Sequence, residues 1–439
     1  MALTQTEGVE VDRMFRLVLL TGLVLSTFVP LYLTGTFPPP SDSYVRNFER
    51  LLLALDSAYP YIEESGVDWS TLHTRYETRV AEATSDAAYA AIVDEMLSEL
   101  DDRHTGVMDP SPRSHRLYFG TALALSDGVV IDQLGPTAMA AGLSRGDQIV
   151  EIDGLAIEEA LFTLPPALRN GSTPAYRRAH AASNILSTLT NQLVVTVERS
   201  DGSRRAVTLV APPATVETGG SNDSASAERA ETPRIVGEQL PSGIGYIRIP
   251  TLSQGGGHDL VREFDAALDT LLDGPGLILD LRGNGGGDSR IGDRIAGRLL
   301  DERFRYGWET FRLPLPQRLW IERFPYRVRP RGITYTEPVV LLIDTFCVSS
   351  AEMLVVALVD SGRARAVGRC TAGSSGNPLV FALPHGSFAR FSTGAFRRID
   401  GQLIEDAGIT PHVVVDYAIA DFRSGRDPDL AAAEALLAH

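Results

Sequence analysis

Lysine is missing altogether: all 40 basic residues of the 439 are arginine. That excludes a lysine general base, a Schiff base and the phosphate-binding lysine of a P-loop. Cysteine is nearly missing too. Cys347 and Cys370 are the two present, too few for a disulfide framework or a Cys-rich zinc site. They leave open one bridge in an oxidising compartment or two buried free thiols. Basic residues are outnumbered by acidic ones, 40 to 56, for a formal charge of −16, so the basic footprint that nucleic acid needs is absent. No H-E-x-x-H or H-x-x-E-H pair occurs among the eight histidines. Zinc is left without a motif, and no metal or cofactor is called for. The remainder is ordinary: 44% hydrophobic and 22% charged residues fit a globular chain of about three domains.

No charge interrupts Leu17 to Ser41, and Leu17 to Gly35 is nearly continuous apolar sequence. As a helix those residues would span about 28 Å, close to the hydrocarbon thickness of a bilayer. Arg13 and Arg16 precede the run, which places the amino end in the cytoplasm and the rest outside. No A-x-A cleavage site and no cysteine for lipid attachment follow. Residues 1–40 therefore read as a membrane anchor, or as a signal peptide starting at Met14. The expectation is an exported protein, held in the inner membrane facing the periplasm or extracellular side, or secreted after cleavage.

Three amphipathic helical patterns follow the Pro38-Pro39-Pro40 break. They run through Phe48, Leu51, Leu52 and Leu55, then Trp69, Leu72 and Tyr76, then Tyr89, Val93, Met96, Leu97 and Leu100. Residues 41–112 read as a helical domain. Residues 113–213 change to short β segments, including Tyr118 to Leu125, Gly128 to Leu134, and a hairpin around Asp201-Gly202. Residues 214–236, rich in Gly, Ser and Thr, read as a flexible linker. From 237 to 439 apolar strands alternate with amphipathic helices, the pattern of an α/β layer with a buried sheet.

Two strand-to-helix junctions carry the candidate chemistry. The apolar run Val339 to Asp344 leads to Ser349-Ser350-Ala351-Glu352 and a helix. A serine there exposes its hydroxyl where free helix N–H groups favour developing negative charge. The same four residues also fit an ordinary capping box. The second junction is Asp280-Leu281-Arg282-Gly283-Asn284-Gly285-Gly286-Gly287, a glycine run that lets backbone N–H groups approach a ligand. It is an oxyanion hole, a phosphate turn or a plain turn; no G-K-[ST] follows, so it is not a P-loop.

The run A-A-G-L-x-x-G-D-x-I-x-x-I-D-G, Ala140 to Gly154, resembles the PDZ signature. That resemblance implies that a C-terminal peptide adds as a strand after Tyr118-Phe119-Gly120-Thr121, its carboxylate held by that loop's N–H groups. Together with the two junctions and Leu100-Asp101-Asp102-Arg103-His104-Thr105, the chain from about Val45 to Leu437 resembles the C-terminal-processing (tail-specific) serine peptidase family. The resemblance implies a helical domain, a PDZ β domain and a crotonase/Clp-protease-like α/β core. It matches Ser349 to the nucleophile, with Ser350 the rival if the register shifts by one. The amides of Ser350 and of Gly285 or Gly286 match the oxyanion hole.

Where many members carry a catalytic lysine, this chain has Ser374 in Val367-Gly368-Arg369-Cys370-Thr371-Ala372-Gly373-Ser374. The pattern instead resembles the tricorn-like branch, with His104 as base and Glu405, in Glu405-Asp406-Ala407-Gly408, as its support. That branch has a serine just before its histidine. Arg103 stands there in this chain, and Ser374 is a candidate for the missing hydroxyl. The implied function is a serine endopeptidase that recognises exported or membrane proteins by their C-termini. The alternatives are a non-catalytic binding protein and a PDZ scaffold retaining the fold.

Overall fold

Strand alternation explains how the α/β layer is covered on both faces. The computed structural model describes residues 43–108, 117–188, 190–210, 234–312 and 320–438. The apolar Leu17 to Gly35 segment, His115 and most of the 214–236 segment lie outside them. Among the described residues no helix is long and apolar enough to cross a membrane.

In the α/β layer, strands β6 (Val236–Gln239), β7 (Gly245–Arg248), β8 (Leu277–Asp280), β9 (Val339–Ile343), β10 (Ala364–Gly368) and β11 (Val413–Val414) lie in that order in one sheet. All neighbours pair parallel except β6 with β7; Leu279 lies opposite Leu341, and Leu341 opposite Ala366. Successive side chains of a strand point to opposite faces. Leu277, Leu279, Val339, Leu341 and Ile343 face helices α5 (Leu260–Asp269), α6 (Ser289–Ala296) and α7 (Ser350–Asp360). Ile278, Val340, Leu342 and Val367 face α8 (Pro428–Leu437). Burial on both faces is why these strands read as unbroken apolar runs.

The β region forms a sheet ordered β1 (Gly120–Leu125), β2 (Gly128–Leu134), β3 (Gln148–Ile152), β4 (Gln192–Glu198) and β5 (Arg204–Val210). Helix α4 (Pro174–Asn184) lies beside β1, and β1 is an edge strand with one side unpaired among the described residues. The three amino-terminal helices, α1 (Tyr44–Ala58), α2 (Trp69–Ala81) and α3 (Asp86–Ser98), do not enclose a core of their own. Phe48, Leu51, Leu55, Tyr89 and Leu97 pack with Phe381, Leu383, Ala389 and Phe391. The strand Gly106–Met108 then pairs with Phe388–Phe391. The helical region and the α/β region thus share one interior, because the faces of three short helices need an outside surface to complete their burial. Both cysteines are free thiols.

Arg282 clamps the carboxy-terminal helix under the glycine turn. Its guanidinium donates to Asp280 (2.7 and 2.9 Å), to Asp427 (2.8 and 2.9 Å) and to Asp429 (3.1 Å). Asp427 also caps α8 by accepting from Leu430 N–H, and Asp429, wholly buried, is shared with Arg369. Replacing one member of such a network leaves buried charge uncompensated. Arg282→Met should therefore destabilise the fold by about 3–5 kcal/mol, read as a lowered urea midpoint at unchanged slope.

Candidate active site

Parallel strands β8 and β9 end side by side, so the turns that follow them meet at the carboxyl edge of the sheet, where open α/β sheets place their ligands. The meeting is tight. Gly283 N–H donates to Asp344 Oδ1 (3.0 Å) and Val348 N–H to the Asn284 carbonyl (3.0 Å). Gly286 has φ +88°, and a Cβ there would come within 2.9 Å of Ser349 Cβ and 2.7 Å of the Val348 carbonyl. Only glycine allows the two turns to close on each other. Gly286 N–H donates to Asn284 Oδ1 (2.9 Å), while Gly285 faces open space.

Ser349 itself sits at φ +59°, ψ −124°. An ordinary helix N-cap lies in the extended region; a serine at positive φ on a sharp strand-to-helix turn is a strained conformation of the kind that presents a nucleophile. Two acceptors hold it there: Ser349 N–H donates to the Ser374 carbonyl (2.9 Å) and to Glu352 Oε2 (3.0 Å). Glu352 thus supplies the returning half of a capping box. It does more, accepting from Thr371 Oγ1 (2.5 Å), Gly373 N–H (2.8 Å) and Ser374 N–H (2.9 Å). Burial pushes its carboxyl up to about 7 against the pull of those donors. Ser350, first residue of α7, keeps an N–H with no acceptor inside its own helix, and its hydroxyl donates to the Gly287 carbonyl (2.7 Å).

His104 joins this cluster through Ser374: its Nδ1 and Ser374 Oγ are 2.8 Å apart. The loop carrying it is pinned on both sides, His104 N–H donating to Asp102 Oδ1 (2.8 Å) and Arg390 Nε to the His104 carbonyl (2.9 Å). Burial lowers the imidazole to about 4, with Arg390 and Arg103 adding to the effect and Asp102 opposing it. The ring is therefore neutral at pH 7.

Glu405 is buried next door but hydrogen-bonds elsewhere. It accepts from Ser375 N–H (2.8 Å) and from the Ser172 hydroxyl. Burial, with Asp102 adding to it, raises its carboxyl well above the usual range. The structure thus brings Ser349, Ser350, Gly285, Gly286, Ser374 and His104 into one cluster and reaches Glu405 through Ser375. No sequence pattern pointed to Ser172; Asp102 stood in the quoted loop without a role, and the reach of Glu352 beyond its cap was not visible.

Tyr118 and Phe119 precede β1 and Gly120 and Thr121 begin it; among the described residues none of the four hydrogen-bonds to this cluster. Tyr118 is exposed, Phe119 is buried, and the Phe119 N–H already donates to the Leu186 carbonyl (2.9 Å). At the other end of β1, Ala124, Leu125 and Ser126 share a cavity of about 400 Å3 with Arg178 and Ala179 of α4. Thr345, Cys370 and Val414 of the α/β layer close it. Among the described residues no cluster of three or more His, Cys, Asp or Glu could hold a metal ion.

Known proteins resemble this chain in sequence and in fold. Residues 243–415 match the peptidase family S41 model, and residues 40–98 match the tricorn protease C1 domain. A carboxyl-terminal-processing protease of Picosynechococcus sp. is 26% identical over 420 residues, 88% of this chain and 87% of the relative. A chloroplastic C-terminal processing peptidase of Tetradesmus obliquus is 27% identical over 380 residues, covering 83% and 75%. Among solved structures, mature CPAF complexed with lactacystin superposes with a TM-score of 0.72 at 16% identity, covering 90% of this chain and 97% of that one. The photosystem II D1 C-terminal processing protease gives 0.52 at 21% identity, covering 91% and 98%. At such identities the superpositions speak for the fold alone.

The burial of His104 has a direct readout. Long-range 1H–15N NMR of the imidazole should show a neutral ring from pH 8 down to about 5, with a midpoint near about 4 instead of the ordinary 6.5. A midpoint above about 6 would contradict the desolvated environment described.

Proposed function

Since this chain belongs to the C-terminal-processing serine peptidase family, and is a serine-type peptidase, we propose that Ser349 is its nucleophile and His104 its general base. The observation that carries this is the double role of Ser374. Its hydroxyl engages His104 Nδ1, and its carbonyl accepts from Ser349 N–H. In the tautomer where Nδ1–H donates to Ser374 Oγ, Nε2 is the acceptor left to take a proton, and a neutral imidazole is the form that can take it.

Ser349 Oγ attacks the scissile carbonyl as His104 removes its proton. The oxyanion that forms is met by the Ser350 N–H at the start of α7 and, in the Gly285-Gly286 turn, by the Gly285 N–H, since the Gly286 N–H already donates to Asn284 Oδ1. His104 returns the proton to the leaving amine, and water hydrolyses the acyl-enzyme by the same steps in reverse. Glu405 acts at one remove. By accepting from Ser375 N–H it fixes the segment that presents Ser374 to the imidazole.

Substrate recognition belongs, in this reading, to the β1–β5 sheet as a PDZ domain. A C-terminal segment adds as a strand along the unpaired edge of β1, between β1 and α4. The cavity at Leu125 and Ser126 then lies where the chain upstream of that terminus passes toward the α/β layer. The apolar Leu17 to Gly35 segment supports an exported site of action, on membrane-anchored or secreted protein.

Ser349→Ala and His104→Ala should each lower peptide hydrolysis by at least about a thousandfold while leaving the thermal midpoint close to that of the native chain. Fluorophosphonate labelling should require both residues. Undiminished turnover in Ser349→Ala would remove the nucleophile assignment.

A further inference from the structure

One short turn reaches Glu405 and the segments that flank Ser349, His104 and Ser374. Residues 171–176 lead into α4, and the turn is locally rigid. Gly171 has φ +155°, where a Cβ would come within 2.2 Å of the Tyr176 ring, and Thr173 Oγ1 caps the helix by accepting from Tyr176 N–H (3.2 Å). From this turn the Ser172 hydroxyl donates to Glu405 and accepts from Arg103 N–H (3.4 Å). Ser172 therefore lies against the backbone of the residue before His104. That is where the tricorn-like pattern has its own serine and this chain has arginine.

Tyr176 reaches the remaining flanks. It is 2% exposed. Its hydroxyl accepts from Arg103 Nε, and the guanidinium lies 5.8 Å from its ring centre. The ring meets Phe346 edge-on at 5.7 Å and packs with Val348, the residue before Ser349, and with Ala372, two before Ser374.

We infer that Tyr176 and Ser172 are positioning residues for the hydrolytic site. Tyr176 sets Ser349 through Val348 and His104 through Arg103, and Ser172 sets the Ser374-Ser375 segment through Glu405. Neither lies at the reacting atoms. Their effect is to fix the distance and angle between two side chains contributed by segments 245 residues apart (349 − 104). Errors of that kind fall on the chemical step, because geometry within the bound complex limits it. The inference rests on the Ser349/His104 assignment.

The test uses the full chain and a fluorogenic peptide, comparing Tyr176→Phe, Arg103→Met, their double variant and Ser172→Ala. Tyr176→Phe keeps the ring and its packing and removes only the acceptor for Arg103. Its kcat should fall about tenfold with KM within about twofold and a thermal midpoint within about 2 °C. Combined with Arg103→Met it should be no worse than the weaker single variant, the signature of two groups acting through one contact. Ser172→Ala, which removes a hydroxyl without altering the Tyr176 contacts, should also lower kcat and spare KM. Native kcat in both Tyr176→Phe and Ser172→Ala, losses confined to KM, or multiplying losses in the double variant would overturn the inference. Turnover persisting in Ser349→Ala would instead remove the assignment on which it rests, so the two failures are distinguishable.

Discussion

A buried carboxylate draws the site together. Glu352 is wholly enclosed and forms no salt bridge among the described residues, yet it accepts from Ser349, Thr371, Gly373 and Ser374. Burying a carboxyl without a cation is unfavourable unless hydrogen bonds replace the lost water. Here the replacements come from the start of α7 and from the segment after β10. Satisfying one acceptor therefore forces two chain segments into contact. The same contact holds Ser349 at a positive φ that an isolated turn would relax. Once Ser374 is tied to Ser349 in this way, its hydroxyl is at the place where His104 meets it.

Sheet topology supplies the foundation on which that carboxylate works. Parallel register places the ends of β8 and β9 next to each other, and buried apolar residues on both faces leave the strands little freedom to slide. Arg282 fastens α8 beneath the glycine turn by pairing with aspartates on either side of it. On the opposite side, residues 171–176 bring the β1–β5 region against Glu405, Arg103 and Val348. The three regions that sequence composition separates are interlocked at the site: the helical region shares an interior with residues 381–395, and α4 of the β region touches Val348, beside Ser349, and Arg103, beside His104.

A lone histidine at the end of a helical segment carries no mark of function. His104 gained one from the residues around it in the sequence and from their resemblance to a known pattern. The structure gives its Nδ1 to Ser374, the hydroxyl the sequence had offered as a candidate, while Glu405 takes its own donors in Ser172 and Ser375. Ser172 lies 69 positions from Arg103 and 233 from Glu405, and nothing periodic links such positions.

What sequence by itself determined is whatever depends on short-range order. Alternating and helical apolar periods laid out the α/β layer and the three amino-terminal helices. The glycine run and Ser349 to Glu352 marked two strand-to-helix junctions, and the lack of lysine removed one class of base outright. Tertiary structure decided what depends on partners far away in the chain. It made Glu352 a hub instead of a cap, gave Ser374 to His104, turned Glu405 toward Ser172, and placed Tyr176 between Val348 and Arg103. The physical reason is that a buried polar group takes as its partner whichever donor packing brings within about 3 Å, and packing is a property of the whole fold.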